Sequence, residues 1–73
     1  MSGLRKRSLM LAGHGTSVAL EPEFWSALED LAATRSLSLA GLVSKIDAER
    51  GARPLASACR VAALAHAARG RDQ

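Results

Sequence analysis

The first patterned stretch lies between residues 8 and 20. Ser8-Leu9-Met10-Leu11 and Thr16-Ser17-Val18-Ala19-Leu20 read as extended structure, interrupted by Gly13-His14-Gly15. In the second run Val18 and Leu20 share one face, while Ser17 and Ala19 share the other. One short strand is not stable alone in water. It pairs either with Ser8-Leu11 as a hairpin or with the same strand of a second chain. The second pairing is the expectation, with an additional hairpin left open.

Helical periodicity takes over at Glu21-Pro22-Glu23. Proline suits the first turn, where its missing N–H is no loss, and the glutamates complement the positive end of the helix dipole. Phe24, Leu28, Leu31 and Ala32 recur at helical spacing with Ala27 beside them, which predicts a helix to about Arg35. Ser36-Leu37-Ser38 breaks it. Ser38 is suited to cap a second helix, Leu39 to about Arg50, with Leu39, Leu42, Val43 and Ile46 on its apolar face. Gly41 inside that helix marks close approach of another backbone, and Gly51 reads as the left-handed terminator. After Ala52-Arg53-Pro54 a third helix is expected from Leu55 to about Arg69. Its apolar face is assigned to Val61 and Leu64, supported by Ala58, Ala62, Ala65 and Ala68. Gly70-Arg71-Asp72-Gln73 reads as a frayed, disordered tail.

Alanine changes the weight of this pattern. Of 73 residues 48% are apolar, but fifteen are alanine, and Phe24 and Trp25 are the only aromatics. At about 25 cal/mol per Å² a core built largely of methyl groups is thin. Chains below roughly 70–80 residues usually rely on disulfides, a metal or a partner chain. Cys59, the single cysteine, forms no internal disulfide, so a partner chain is expected, in the simplest case a second copy. The length allows one domain, placed at residues 8–69 behind a basic arm at 1–7, and it leaves little room for a multi-step enzyme.

The net charge of +3 hides a segregation. Arg5, Lys6 and Arg7 stand without an acid in the first twenty residues. The middle is acidic, with Glu21, Glu23, Glu29, Asp30, Asp47 and Glu49 against Arg35, Lys45 and Arg50. The end is basic again, with Arg53, Arg60, Arg69 and Arg71 against Asp72. Basic ends suit a polyanion, and dimerisation doubles the local field. Leu9-Met10-Leu11-Ala12 is too short for a signal peptide and nothing approaches a membrane span, so a soluble cytoplasmic protein is expected.

Candidate chemistry is sparse. His14, Cys59 and His66 lack metal-ligand spacing, so no metal and no cofactor are expected. Gly13-His14-Gly15 is not a phosphate loop. No serine has a nucleophile's context, no small-molecule substrate is evident, and no catalysis is expected. Cys59 reads as a small core residue and His66 as partly exposed. Asp47, at the unfavourable end of its helix, calls for an ion pair with Arg50 or Arg53. Arg60 is placed to pair with an acid of a partner chain.

The order of elements, with Lys6-Arg7-Ser8, Gly13-His14-Gly15-Thr16-Ser17, Leu20-Glu21-Pro22-Glu23-Phe24-Trp25, Leu37-Ser38-Leu39, Leu42-Val43 through Ile46-Asp47, and Ser57-Ala58-Cys59-Arg60-Val61, resembles a ribbon-helix-helix domain. More closely, it resembles the compact bacterial ribbon-helix-helix proteins that carry a third helix. The resemblance implies a mainly α fold with one short N-terminal β-strand, in an intertwined homodimer. Two strands would form a ribbon in the DNA major groove over a core of Val18, Leu20, Phe24, Leu28, Leu31, Leu42, Val43 and Ile46. Ser17 and Ala19 would then face base edges, with His14 nearby. Ser38 and Leu39, opening the second helix, would offer backbone N–H groups to a phosphate, and Arg5, Lys6 and Arg7 would reach the DNA backbone. Two departures weaken base readout. The position of Gly15 commonly holds arginine in sequences of this type, and Ala19 offers only a methyl.

The expected function is that of a small transcriptional regulator, such as a repressor, bound to double-stranded DNA in the nucleoid. Two other functions stay open on the sequence. One is an antitoxin that uses the same fold on its promoter. The other is a protein-interaction or assembly module without DNA binding, in which an alanine-rich third helix joins dimers.

Overall fold

The computed structural model describes residues 3–71. Strands β1 (Arg5–Leu11) and β2 (His14–Leu20) precede helices α1 (Pro22–Thr34), α2 (Leu39–Glu49) and α3 (Leu55–Arg71). The chain is mainly helical, but it has two strands where one was expected. β1 and β2 pair antiparallel, with Arg5 opposite Leu20, Ser8 opposite Ser17 and Leu11 opposite His14. Two consequences follow for the N-terminal region. Arg5, Lys6 and Arg7 belong to a strand and not to an arm, and β2 already has a partner within its own chain. Of the expected arm and tail, residues 1–2 and 72–73 lie outside the described residues, while Gly70 and Arg71 continue α3.

The hairpin closes through Ala12 and Gly13, with φ of 50° and 85°. Positive φ at both positions is the turn geometry whose twist matches that of the strands, and it favours Asn-Gly. Alanine is strained there, by roughly 1–2 kcal/mol. Ala12→Asn is therefore expected to raise the melting temperature by several degrees, about 4–8 °C per kcal/mol relieved in a domain of this size. A melting curve followed by circular dichroism measures it.

The helix ends follow the expected chemistry. Pro22 sits at the start of α1, and the Ser38 Oγ accepts the Gly41 N–H at 2.9 Å to cap α2. α1 ends with Ser36 at φ 58°, the Leu37 N–H donating to the Ala32 carbonyl at 2.8 Å and the Ser36 N–H to that of Ala33 at 3.1 Å. This left-handed terminator does the work glycine usually does. Gly51, at φ 62°, follows the last residues of α2 as expected. Gly41 differs from its expectation. A Cβ there would meet the Ser38 Oγ at 3.0 Å, so its small size makes room for the capping hydroxyl and not for another backbone.

The core lies between one face of the hairpin and the three helices. It comprises Leu11, Val18 and Leu20 from the strands, Trp25, Leu28, Leu31 and Ala32 from α1, Leu42 and Val43 from α2, and Cys59 and Ala63 from α3. No polar or charged residue is buried among the described residues. Six of the residues assigned to a shared core (Val18, Leu20, Leu28, Leu31, Leu42, Val43) are buried within the single chain, whereas Phe24 and Ile46 are half-buried.

The buried face of α3 is rotated from the one expected: Ala58 is buried and Ala62 half-buried against the core as expected, but Val61, Leu64 and Ala65 are exposed. Cys59 and Ala63, one turn apart, face inward, while Val61 is 46% and Leu64 66% exposed. α3 packs chiefly against α1, and small side chains on the contact face let the two backbones approach. Placing Val61 and Leu64 there would hold the helices apart.

Candidate nucleic-acid interface

Side chains alternate across the hairpin. The inner face carries Arg5, Arg7, Leu9 and Leu11 opposite Leu20, Val18, Thr16 and His14; the outer face carries Lys6, Ser8 and Met10 opposite Ala19, Ser17 and Gly15. The outer face holds one cation, two hydroxyls and no acid. Ala19 is half-buried and the other five are exposed, Met10 at 65%. Ser8, Met10, Gly15 and Ser17 also line a shallow groove along the hairpin.

The basic run is divided by this alternation. Lys6 alone points outward. The Arg7 guanidinium turns inward, where its Nη1 donates to the Glu29 Oε2 at 2.8 Å and its charge lies 4.9 Å from the centre of the Trp25 ring. Below it, the Trp25 Nε1–H donates to the Arg5 carbonyl at 2.8 Å. Trp25, 2% exposed, thus fastens β1 to α1. Periodicity alone did not select it, because Phe24 and Trp25 are adjacent and either could begin an apolar stripe among alanines.

His14 sits at the turn end of the inner face, above a cleft shared with Thr16, Asp47, Arg50 and Leu55, and not among the outward residues. Ser38 is exposed and Leu39 half-buried at the start of α2. With Gly41 N–H donating to the Ser38 Oγ and Leu42 N–H to the Ser38 carbonyl, the helix start is partly satisfied from within. Ser8 and Met10 were not among the expected site residues. The signal that could have found them is the two-residue spacing between two extended runs.

The remaining polar contacts are structural. Asp47 pairs with Arg50, Nε to Oδ1 at 2.7 Å, as its position required. Arg60 finds an acid within its own chain: its Nε donates to the Glu21 Oε1 at 3.0 Å, and its guanidinium lies 5.8 Å from the Phe24 ring. The Glu21 carboxyl is held below its ordinary value, first by its own backbone N–H and then by Arg60. His66 is hydrogen-bonded to Asp30, Nε2 to Oδ2 at 2.6 Å, which joins α3 to α1 a second time. Exposed pairs of this kind add little stability singly.

Cys59 is fully buried, and burial pushes its thiol above the ordinary value despite Arg60 nearby. A thiolate-directed reagent is therefore expected to label it on the order of a hundredfold more slowly in the folded protein than in denaturant. Among the described residues no group of three or more His, Cys, Asp or Glu could hold a metal, and no helix is long and apolar enough to cross a membrane.

A family model described as a ribbon-helix-helix domain matches residues 4–67. The chain belongs to the ribbon-helix-helix family, whose members are in general DNA-binding regulators without enzymatic activity. Among curated proteins and solved structures nothing matches the chain.

Proposed function

We infer that the protein is a cytoplasmic, DNA-binding homodimer that represses or otherwise regulates transcription by occupying double-stranded DNA, and that it performs no chemistry of its own. The observation that carries this reading is the outer face of the hairpin. It is exposed, free of acids, polar at Ser8 and Ser17, and basic at Lys6.

Dimerisation has a ready route. A two-residue turn makes Leu11·His14, Leu9·Thr16, Arg7·Val18 and Arg5·Leu20 the hydrogen-bonded pairs of the hairpin. The backbone groups of Gly15, Ser17 and Ala19 therefore point away from β1, along an edge that no strand covers among the described residues. An unpaired edge is a template for another strand. Two copies of β2 joined antiparallel about Ser17 give a two-fold ribbon, the isologous contact of a symmetric dimer.

Affinity in this reading is mainly electrostatic, from Lys6 and from the N–H groups of Ser38 and Leu39, with Ser17 the principal base reader. Fluorescence anisotropy of a labelled duplex, titrated at several salt concentrations, tests it. Binding that weakens linearly in log-log salt is expected. No binding at about 50 mM salt by folded, dimeric protein contradicts it. A protein-interaction module is the second reading, favoured by Val61 and Leu64 on the outer side of α3. In that case light scattering shows association that Leu64→Ser abolishes, with or without DNA.

A further inference from the structure

We propose that β1 is itself part of the DNA-contacting surface, with Ser8 and Lys6 holding the phosphates on either side of the groove while Ser17 faces the bases. The inference rests on the DNA-binding dimer reading and adds to it Ser8 and the place of β1 over the groove rims.

The argument is one of register and width. Within the chain Ser8 stands opposite Ser17, Lys6 opposite Ala19 and Met10 opposite Gly15. If β2 pairs with its copy about Ser17, the sheet has the order β1, β2, partner β2, partner β1. Its middle row is then Ser8 and Ser17 of one protomer followed by the same two residues of the other. One flanking row runs Lys6, Ala19 and then the Gly15 and Met10 positions of the second copy, and the other row is its two-fold equivalent. Every residue of these rows is on the outer face.

Neighbouring strands lie about 4.8 Å apart, so the two β1 strands are about 14 Å apart across the sheet. The major groove is about 12 Å wide. The two β2 strands fit between the groove walls, and the β1 strands fall over the rims, where phosphates and not base edges lie. A serine hydroxyl at the rim can donate to a phosphate oxygen, and a lysine supplies a point charge. Arg7 takes no part in this surface, because Glu29 and Trp25 hold it on the opposite face.

The test compares Lys6→Ala, Ser8→Ala and Ser17→Ala in the full chain, using anisotropy on a panel of duplexes at several salt concentrations. All three side chains are exposed, and a melting curve for each variant verifies the fold. Lys6→Ala is expected to remove one phosphate contact per protomer and so flatten the log-log salt slope by about 2 per dimer. Ser8→Ala is expected to weaken binding several-fold and equally on every duplex, whereas Ser17→Ala changes the ranking of duplexes. Wild-type affinity and slope in both β1 variants, with the wild type binding, would overturn the inference and leave the DNA reading standing. Ser8→Ala changing the ranking as Ser17→Ala does would overturn the phosphate assignment. A wild type that binds no duplex at about 50 mM salt would overturn the DNA reading and this inference with it.

Discussion

Gly15→Arg is expected to tighten binding to duplex DNA by at least about tenfold, since a well-placed arginine–base contact contributes about 1–3 kcal/mol and a dimer gains two. The position is ready for a side chain. A Cβ built on Gly15 meets nothing within 4 Å, and its φ is not in the left-handed region. The new side chain would stand on the outer face, opposite the exposed Met10 and two residues from Ser17. Replacing a strand glycine also lowers the entropy of the unfolded chain, by about 0.4–1 kcal/mol, so the melting temperature should hold or rise slightly. Anisotropy measures the affinity. Unchanged binding by a folded Gly15→Arg protein would mean that this face does not meet DNA.

Trp25→Ala is expected to have the largest effect on stability, a loss of about 3–5 kcal/mol from the lost burial and the cavity together. A domain of this size has only about 5–15 kcal/mol in total, so the variant should be unfolded or close to it near physiological temperature. Three contacts depend on this side chain. The ring fills the core at 2% exposure, its N–H satisfies the Arg5 carbonyl, and its face supports the Arg7 cation. Trp25→Phe separates them, because it keeps most of the apolar area and loses the N–H, and it should cost about 1–2 kcal/mol. The melting curves of both variants, with amide exchange along β1, measure the effect. A drop of only a few degrees in Trp25→Ala would show that β1 is held by its ladder and not by this anchor.

What was legible in the sequence depended on how local its cause was. Pro22 and Ser38 set the helix starts, and Gly51 followed the end of α2, through backbone geometry and single hydrogen bonds, so these boundaries fell within a residue or two of expectation. The ion pair of Asp47 with Arg50 was legible for the same reason. Features decided by packing were not. α3 is alanine-rich all round, so its few larger residues suggested a buried face, whereas close packing on α1 selects the smallest ones, and Cys59 and Ala63 turn inward.

The hairpin failed to declare itself for a different reason. Its turn uses alanine at a positive φ where asparagine is the usual signal, and Arg5-Lys6-Arg7 reads as a tail until its strand partner is known. That partner matters for the candidate site. Once β1 is paired, alternation sends Lys6 outward and Arg7 inward, and it brings Ser8 beside Ser17. A cluster of three charges in sequence becomes one charge on the outer face, Lys6, one clamp to α1, Arg7, and an exposed Arg5 at the open end of the inner face.

The central claim is that the outer face of the hairpin meets duplex DNA. Titration of the isotopically labelled protein with a short duplex, followed by amide chemical shifts, tests it most directly. The largest changes are expected at Lys6, Ser8, Gly15, Ser17 and Ala19, with Val61, Leu64 and Ala68 unmoved. Changes confined to α3, with the hairpin silent, would contradict it.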